Sequence, residues 1–164
     1  MSHVYSVAVQ MDITTAGGDV DLLSCAPADD KPVTLRGFSL SQSTELGEVQ
    51  EESLIITVRR MGATITIGSG GTAVSAAKPP EDSADPDWGF SARINDTTVT
   101  TTTGTNFLYD TFAWNVRNSP YERWYPEKKG FCLKARQAEV LIIRNETVIA
   151  DTITLCLTVW LEEE

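Results

Sequence analysis

Hydrophobic and polar residues alternate with a period of two along most of the chain. From position 5 to 13 the apolar residues are Tyr5, Val7, Val9, Met11 and Ile13, with Ser6, Gln10 and Asp12 between them. Near the other end Ile153, Leu155, Leu157, Val159 and Leu161 alternate with Thr152, Thr154, Cys156, Thr158 and Trp160. A strand puts successive side chains on opposite faces, so both segments are predicted as strands with one face in a core. Leu155 and Leu157 are expected in that core. Val33 and Leu35 share one parity and Phe38 and Leu40 the other, with Gly37 at the switch. A bulge there would repair the register. Leu54, Ile56 and Val58 alternate with Ser53, Thr57 and Arg59. Further strands are predicted over 64–67 and over the Thr- and Val-rich 97–103, whose β-branched side chains favour extended backbone. Phe107, Tyr109, Phe112, Trp114 and Val116 mark another strand, and 131–135 with 139–143 form a late pair.

Turn residues fill the gaps: Ala16-Gly17-Gly18-Asp19, a flexible Gly68-Ser69-Gly70-Gly71, and Asn118-Ser119-Pro120. Positions 77–88 form the one long irregular segment, with Pro79, Pro80, Pro86, Glu81, Asp82, Asp85 and Asp87. No segment sustains a 3.6-residue period. The best helix candidate is short, over 41–52, with Glu45, Glu48, Glu51 and Glu52, and an acidic loop reads equally well there. Eight to ten short strands with long loops predict one all-β domain over 1–164, an antiparallel β-sandwich of jelly-roll type. An immunoglobulin-like sandwich is the second choice, because the chain is long for seven strands and the Cys-to-Trp-to-Cys order is poorly met.

Composition narrows the function classes. A 164-residue chain can bury roughly 70% of the surface its unfolded form exposes, so no metal or disulfide is required for folding. The formal net charge of −10 repels nucleic acid phosphate and anionic lipid, so neither nucleic acid nor membrane is expected as a partner. The basic pairs Arg59-Arg60 and Lys128-Lys129 read as solvated strand ends. Three cysteines, Cys25, Cys132 and Cys156, are odd in number and contain no CxxC, which predicts neither a zinc site nor a disulfide framework. Cys132 and Cys156 are expected to pack as small hydrophobes. No secretory signal and no apolar run of membrane-spanning length is visible.

The search for chemistry yields no catalytic constellation, so no enzyme activity and no cofactor is predicted. The single histidine, His3, stands beside the terminus. Asp82, Asp85 and Asp87 before Gly89 have oxygen-ligand character without the spacing of a helix–loop–helix calcium site. The 68–71 glycine run lacks the Lys and Ser/Thr of a phosphate loop. No base or orienting residue is identifiable beside Cys132 or Lys134. The aromatic cluster is more informative. Trp114, Tyr121, Trp124 and Tyr125 are interleaved with Arg117 and Arg123. Aromatics and arginine are the residue types enriched in interface hot spots. Arg117, Tyr121, Arg123, Trp124 and Tyr125 are therefore the candidate interface. The same rings could line a carbohydrate groove, or brace a loop around a core Trp114.

Several segments carry a resemblance. Ser2-His3-Val4-Tyr5-Ser6-Val7, the strand from Lys31-Pro32-Val33 to Gly37, and Gly47-Glu48-Val49-Gln50-Glu51-Glu52 are joined by the Arg59-Arg60 strand end, the Gly68-Ser69-Gly70-Gly71 turn and the Thr-rich 95–103. Together they resemble a group of small head structural proteins of tailed bacteriophages, the capsid decoration or cement proteins. The resemblance spans most of the chain as a pattern of strands and turns and includes no chemical motif. It implies a virion structural protein that is made in the host cytoplasm and resides on the capsid surface. Its partners would be the major capsid protein shell and itself, as a homo-oligomer expected to be a trimer. A carbohydrate- or receptor-binding β-sandwich module is the alternative.

Overall fold

The computed structural model describes residues 2–14, 18–44, 52–78, 86–118, 120–127 and 132–164. Thirteen strands and no helix occur among them: β1 (His3–Ile13), β2 (Val20–Ala26), β3 (Val33–Gln42), β4 (Ser53–Gly62), β5 (Ile65–Thr66), β6 (Thr72–Val74), β7 (Ser91–Ile94), β8 (Thr101–Thr102), β9 (Asn106–Asn115), β10 (Tyr121–Trp124), β11 (Leu133–Ala135), β12 (Glu139–Asn145) and β13 (Ile153–Glu163). They form an antiparallel β-sandwich. One sheet has the order β1-β13-β3-β10, with β11 also paired to β3; the other has the order β6-β7-β2-β12-β4-β9. A two-stranded β5-β8 sheet is separate. The strands outnumber the eight to ten predicted: β5 and β8 fall within the predicted 64–67 and 97–103, whereas β2, β6, β7 and β10 lie where no strand is predicted, the last three being too short to leave a period and β2 being buried on both faces so that it does not alternate.

The alternation of the terminal segments holds. β1 and β13 pair along their whole lengths, from His3 with Glu163 to Ile13 with Ile153. Every odd-numbered residue of β13 is buried, Leu155 and Leu157 among them. The parity carries one charge inward. Glu163 is buried, and it is satisfied by the Gly89 amide at 2.8 and 3.1 Å and by the Lys31 ammonium at 3.6 Å. The bulge in β3 is also present. Gly37 pairs with Trp160 while Leu35 pairs with Leu161, so Arg36 is the extra residue. Val33, Leu35, Phe38 and Leu40 all reach the core as a result.

Other expectations need correction. The late strands β11 and β12 lie in opposite sheets: β11 pairs with β3, and β12 joins β2 and β4. Of the predicted 64–67 only Ile65–Thr66 forms a strand, and after Ala63, with a φ of 68°, Ile65 pairs with Thr102 outside the two main sheets. Of 97–103, only Thr101–Thr102 forms a strand. Residues Ser41 and Gln42 of the helix candidate belong to β3, and 45–51 lie outside the described residues. Arg59 and Arg60 are not solvated strand ends. Arg59 pairs with Glu146, and Arg60 contacts Glu139 at 3.6 Å and donates to the Lys134 carbonyl at 3.0 Å.

The two central strands of the larger sheet are buried on both faces. In β2 only Ala26, and in β12 only Glu139, is less than fully buried. The inner face packs in the main core, and the chain between β4 and β9 lies over part of the outer face. There Met61, Val140 and Ile142 form a second apolar cluster with Ala26 and Ile65. A polar network fastens the cover. Buried Arg144 donates to Asp21 at 2.6 Å and to the Thr100 carbonyl at 2.7 Å, while the Thr100 amide donates to the other Asp21 oxygen at 2.7 Å. Arg93 binds buried Asp96 at 3.0 and 2.8 Å, and the Gly71 amide donates to Asp96 at 3.0 Å. Such groups are tolerable only because each meets a partner. The glycine run is therefore held and is no flexible turn. A Cβ on Gly71 would stand 2.0 Å from the Ile94 carbonyl oxygen, and Gly70 has a φ of 92°.

Candidate interaction face

β9 and β10 are the neighbouring edges of the two sheets, and aromatic rings close the gap between them. Phe112 and Tyr121 stack at 4.2 Å, Phe38 stacks on Phe112 at 5.9 Å, and Tyr109 meets Tyr125 edge-on at 5.2 Å. Asp110 ties the seam at its rim, accepting from Arg123 at 2.9 Å and from the Tyr125 hydroxyl at 3.1 Å. Burial first, and then the Asp110 charge, push the Tyr125 phenol well above the usual tyrosine range. Burial also raises Tyr109, with Cys132 and Asp110 adding to the effect.

Beside this seam, the outer face of the smaller sheet carries a second aromatic feature. Trp160 of β13, Gly37 of β3 and Trp124 of β10 occupy one row across three strands. The two indoles stack at 4.5 Å with planes 26° apart. Gly37 makes the arrangement possible: a Cβ there would lie 2.6 Å from the Arg123 carbonyl oxygen and 2.8 Å from Trp124 Cε3. Trp124 stays 55% exposed, and Val4 beside it 41%. These residues, with Arg36, Tyr125, Pro126 and Glu127, line a shallow depression of about 360 Å³. Arg36, displaced outward by the bulge, pairs with Glu162 and stands 3.7 Å from Glu127. The Trp124 indole N–H points to Glu122 at 3.5 Å.

The five candidate interface residues thus separate. Trp124 is on the exposed face. Tyr125 is buried in the seam, and its wall closes one side of the depression. Tyr121 is half-buried between Phe38 and Phe112. Arg123 spans the two sheets through Asp110. Arg117 is exposed beyond β9, lining a different hollow with Ser43 and Pro120. Trp114 is buried in the core. Sequence reasoning missed Trp160, Arg36 and Val4 as members of the face. Trp160 carries a signal, because it occupies an outward position of the strongest alternation in the chain.

Asp82 and Asp85 of the acidic loop lie outside the described residues, as do Lys128 and Lys129. Asp87 pairs with Lys78 at 2.8 Å. Among the described residues no three His, Cys, Asp or Glu side chains gather as a metal site. All three cysteines are free. Cys25 is buried, and its thiol is pushed far up by burial first and by Glu163 second. Cys132 and Cys156 are half-buried.

No family model matches this chain, and no curated protein matches it. Among solved structures, a chain from the structure of infectious bursal disease virus, Gx strain, aligns over 99% of this chain at 16% identity with a TM-score of 0.21. The alignment covers 42% of that viral chain, so this protein spans about two fifths of its length. At that score the likeness carries no argument, and the reading of the face rests on its own geometry.

Proposed function

We propose that the chain is a virion structural protein of a tailed bacteriophage, a capsid decoration protein that binds the major capsid protein shell. It acts by binding rather than catalysis, as a homo-oligomer expected to be a trimer, on the capsid surface after synthesis in the host cytoplasm. The observation that carries the reading is strand order. β1-β13-β3-β10 faces β2-β12-β4-β9, and when these eight strands are taken in chain order the sheet changes at every step except β4 to β9. That order supports a jelly roll, an architecture whose uses include viral capsid and lectin domains. A sandwich with an exposed aromatic row suits repeated docking on a symmetric shell, where every subunit reuses one patch.

The lectin use of the same architecture, together with the exposed Trp124 indole, favours a second reading as a carbohydrate- or receptor-binding module. Mass in solution and co-sedimentation with purified phage heads test the first reading. The expected result is an oligomer that pellets with heads in a saturable ratio. A strict monomer that stays in the supernatant, or a glycan-array signal abolished in Trp124→Ala, would replace it with the second.

A further inference from the structure

We infer that the Trp124–Trp160 face receives an arginine or lysine side chain from a basic segment of a partner protein. The cation lies against the Trp124 indole with its charge toward Glu122 and Glu127. The inference rests on the protein-binding reading above and names the chemistry of its contact.

Charge complementarity selects this occupant. Around the indole pair, Glu122, Glu127 and Glu162 stand against Arg36. That cation is engaged, between Glu162 and Glu127. Among the described residues, two carboxylates' worth of charge is therefore left over beside an exposed indole. Glu127 is 84% exposed, so its carboxylate remains within reach of an incoming group. Tryptophan presents the most favourable ring face to a cation. The molecule already uses the chemistry internally, with Arg60 5.6 Å from the Phe107 centroid and Arg123 5.9 Å from that of Tyr125. The net charge of −10 adds long-range attraction for a basic segment and opposes an acidic one. An aliphatic side chain would gain nothing from the surplus carboxylates, and a neutral sugar would gain hydrogen bonds from its hydroxyls but no charge neutralisation. Because Gly37 and Trp160 fix the indole from below and beside, little side-chain entropy remains to be lost on binding.

The test is fluorescence anisotropy with the full chain at physiological salt, using labelled hexapeptides of alternating Arg-Ser, Glu-Ser and Leu-Ser. Competition by neutral oligosaccharides is read in parallel. The Arg-Ser peptide is expected to bind best. Trp124→Ala should weaken it roughly threefold to thirtyfold, Trp124→Phe less, and the Glu122→Gln/Glu127→Gln pair severalfold. Unchanged thermal melting of each variant shows that the loss is local. Lys128 and Lys129 follow Glu127 in sequence, so Lys128→Ala/Lys129→Ala should bind at least as tightly. Equal binding by wild type and Trp124→Ala would reduce the effect to bulk charge and overturn the inference. So would preference for the Leu-Ser peptide or displacement by a sugar. Head co-sedimentation of the wild type separates the two levels. Heads held equally by wild type and Trp124→Ala overturn the inference and leave the decoration reading standing, whereas no head binding by wild type removes that reading.

Discussion

The two outer faces of this sandwich are both built from the outward-pointing side chains of their strands and meet different fates. On the larger sheet, the outward side chains of β2 and β12 are buried beneath the chain between β4 and β9, with Arg144, Asp21 and Thr100 hydrogen-bonded under the cover. On the smaller sheet, the outward row of Trp160, Gly37 and Trp124 stays open at Trp124. A polar residue on an outward strand position can therefore be a solvated surface group or part of a second packed layer. The two differ in what removal costs. Under the cover, an orphaned charge has no water to turn to. On the open face, water replaces whatever is lost.

Substitutions on each side test that contrast. Arg144→Ala leaves Asp21 buried without its cation and is expected to cost about 3–5 kcal/mol in urea unfolding. Asp21→Asn/Arg144→Met, which removes both charges, should recover much of that loss. If Arg144→Ala costs under about 1 kcal/mol, water reaches the site and the cover is not tight. Gly37→Ala sits on the open face, yet its Cβ meets backbone from below, so about 1–3 kcal/mol is expected. The same variant should erase the near-ultraviolet circular dichroism of the stacked indoles; an unaltered spectrum would refute the role given to Gly37.

The smallest effect concerns the seam between the faces. Tyr125→Phe forfeits the Asp110 hydrogen bond, about 0.5–1.5 kcal/mol at neutral pH. Its pH dependence is more telling. The folded Tyr125 holds its proton above the value near 10 typical of an unfolded tyrosine. The stability this gives is complete below that unfolded value and is lost as pH rises past it. Tyr125→Phe should therefore show a shallower alkaline decline than wild type, with Tyr109 keeping part of the slope. Parallel declines would mean Tyr125 titrates normally.

Legibility followed the same physics. Both-face burial of β2 and β12 is written as unbroken apolar pairs and runs, Leu22-Leu23 and Val140 to Ile143, where alternation fails. The fastening of the cover is not legible, because Asp21, Asp96 and Arg144 look like any charged residues until their partners are known. For the face, clustering in sequence brought Trp124 to notice but also collected Tyr125 and Tyr121, which belong to the seam. Trp160 and Arg36 come from distant strands, so only pairing across β13, β3 and β10 unites them.

By itself the sequence determined the strand-rich class, the inward parity of β1 and β13 and the slip at Gly37, because alternation and a missing side chain are local properties. The tertiary structure decided which outward positions are covered, that Glu163 could turn inward onto Gly89 and Lys31, and that two tryptophans 36 positions apart share one exposed row. Those outcomes depend on which strands become neighbours, and neighbours are chosen by the packing of the whole sandwich.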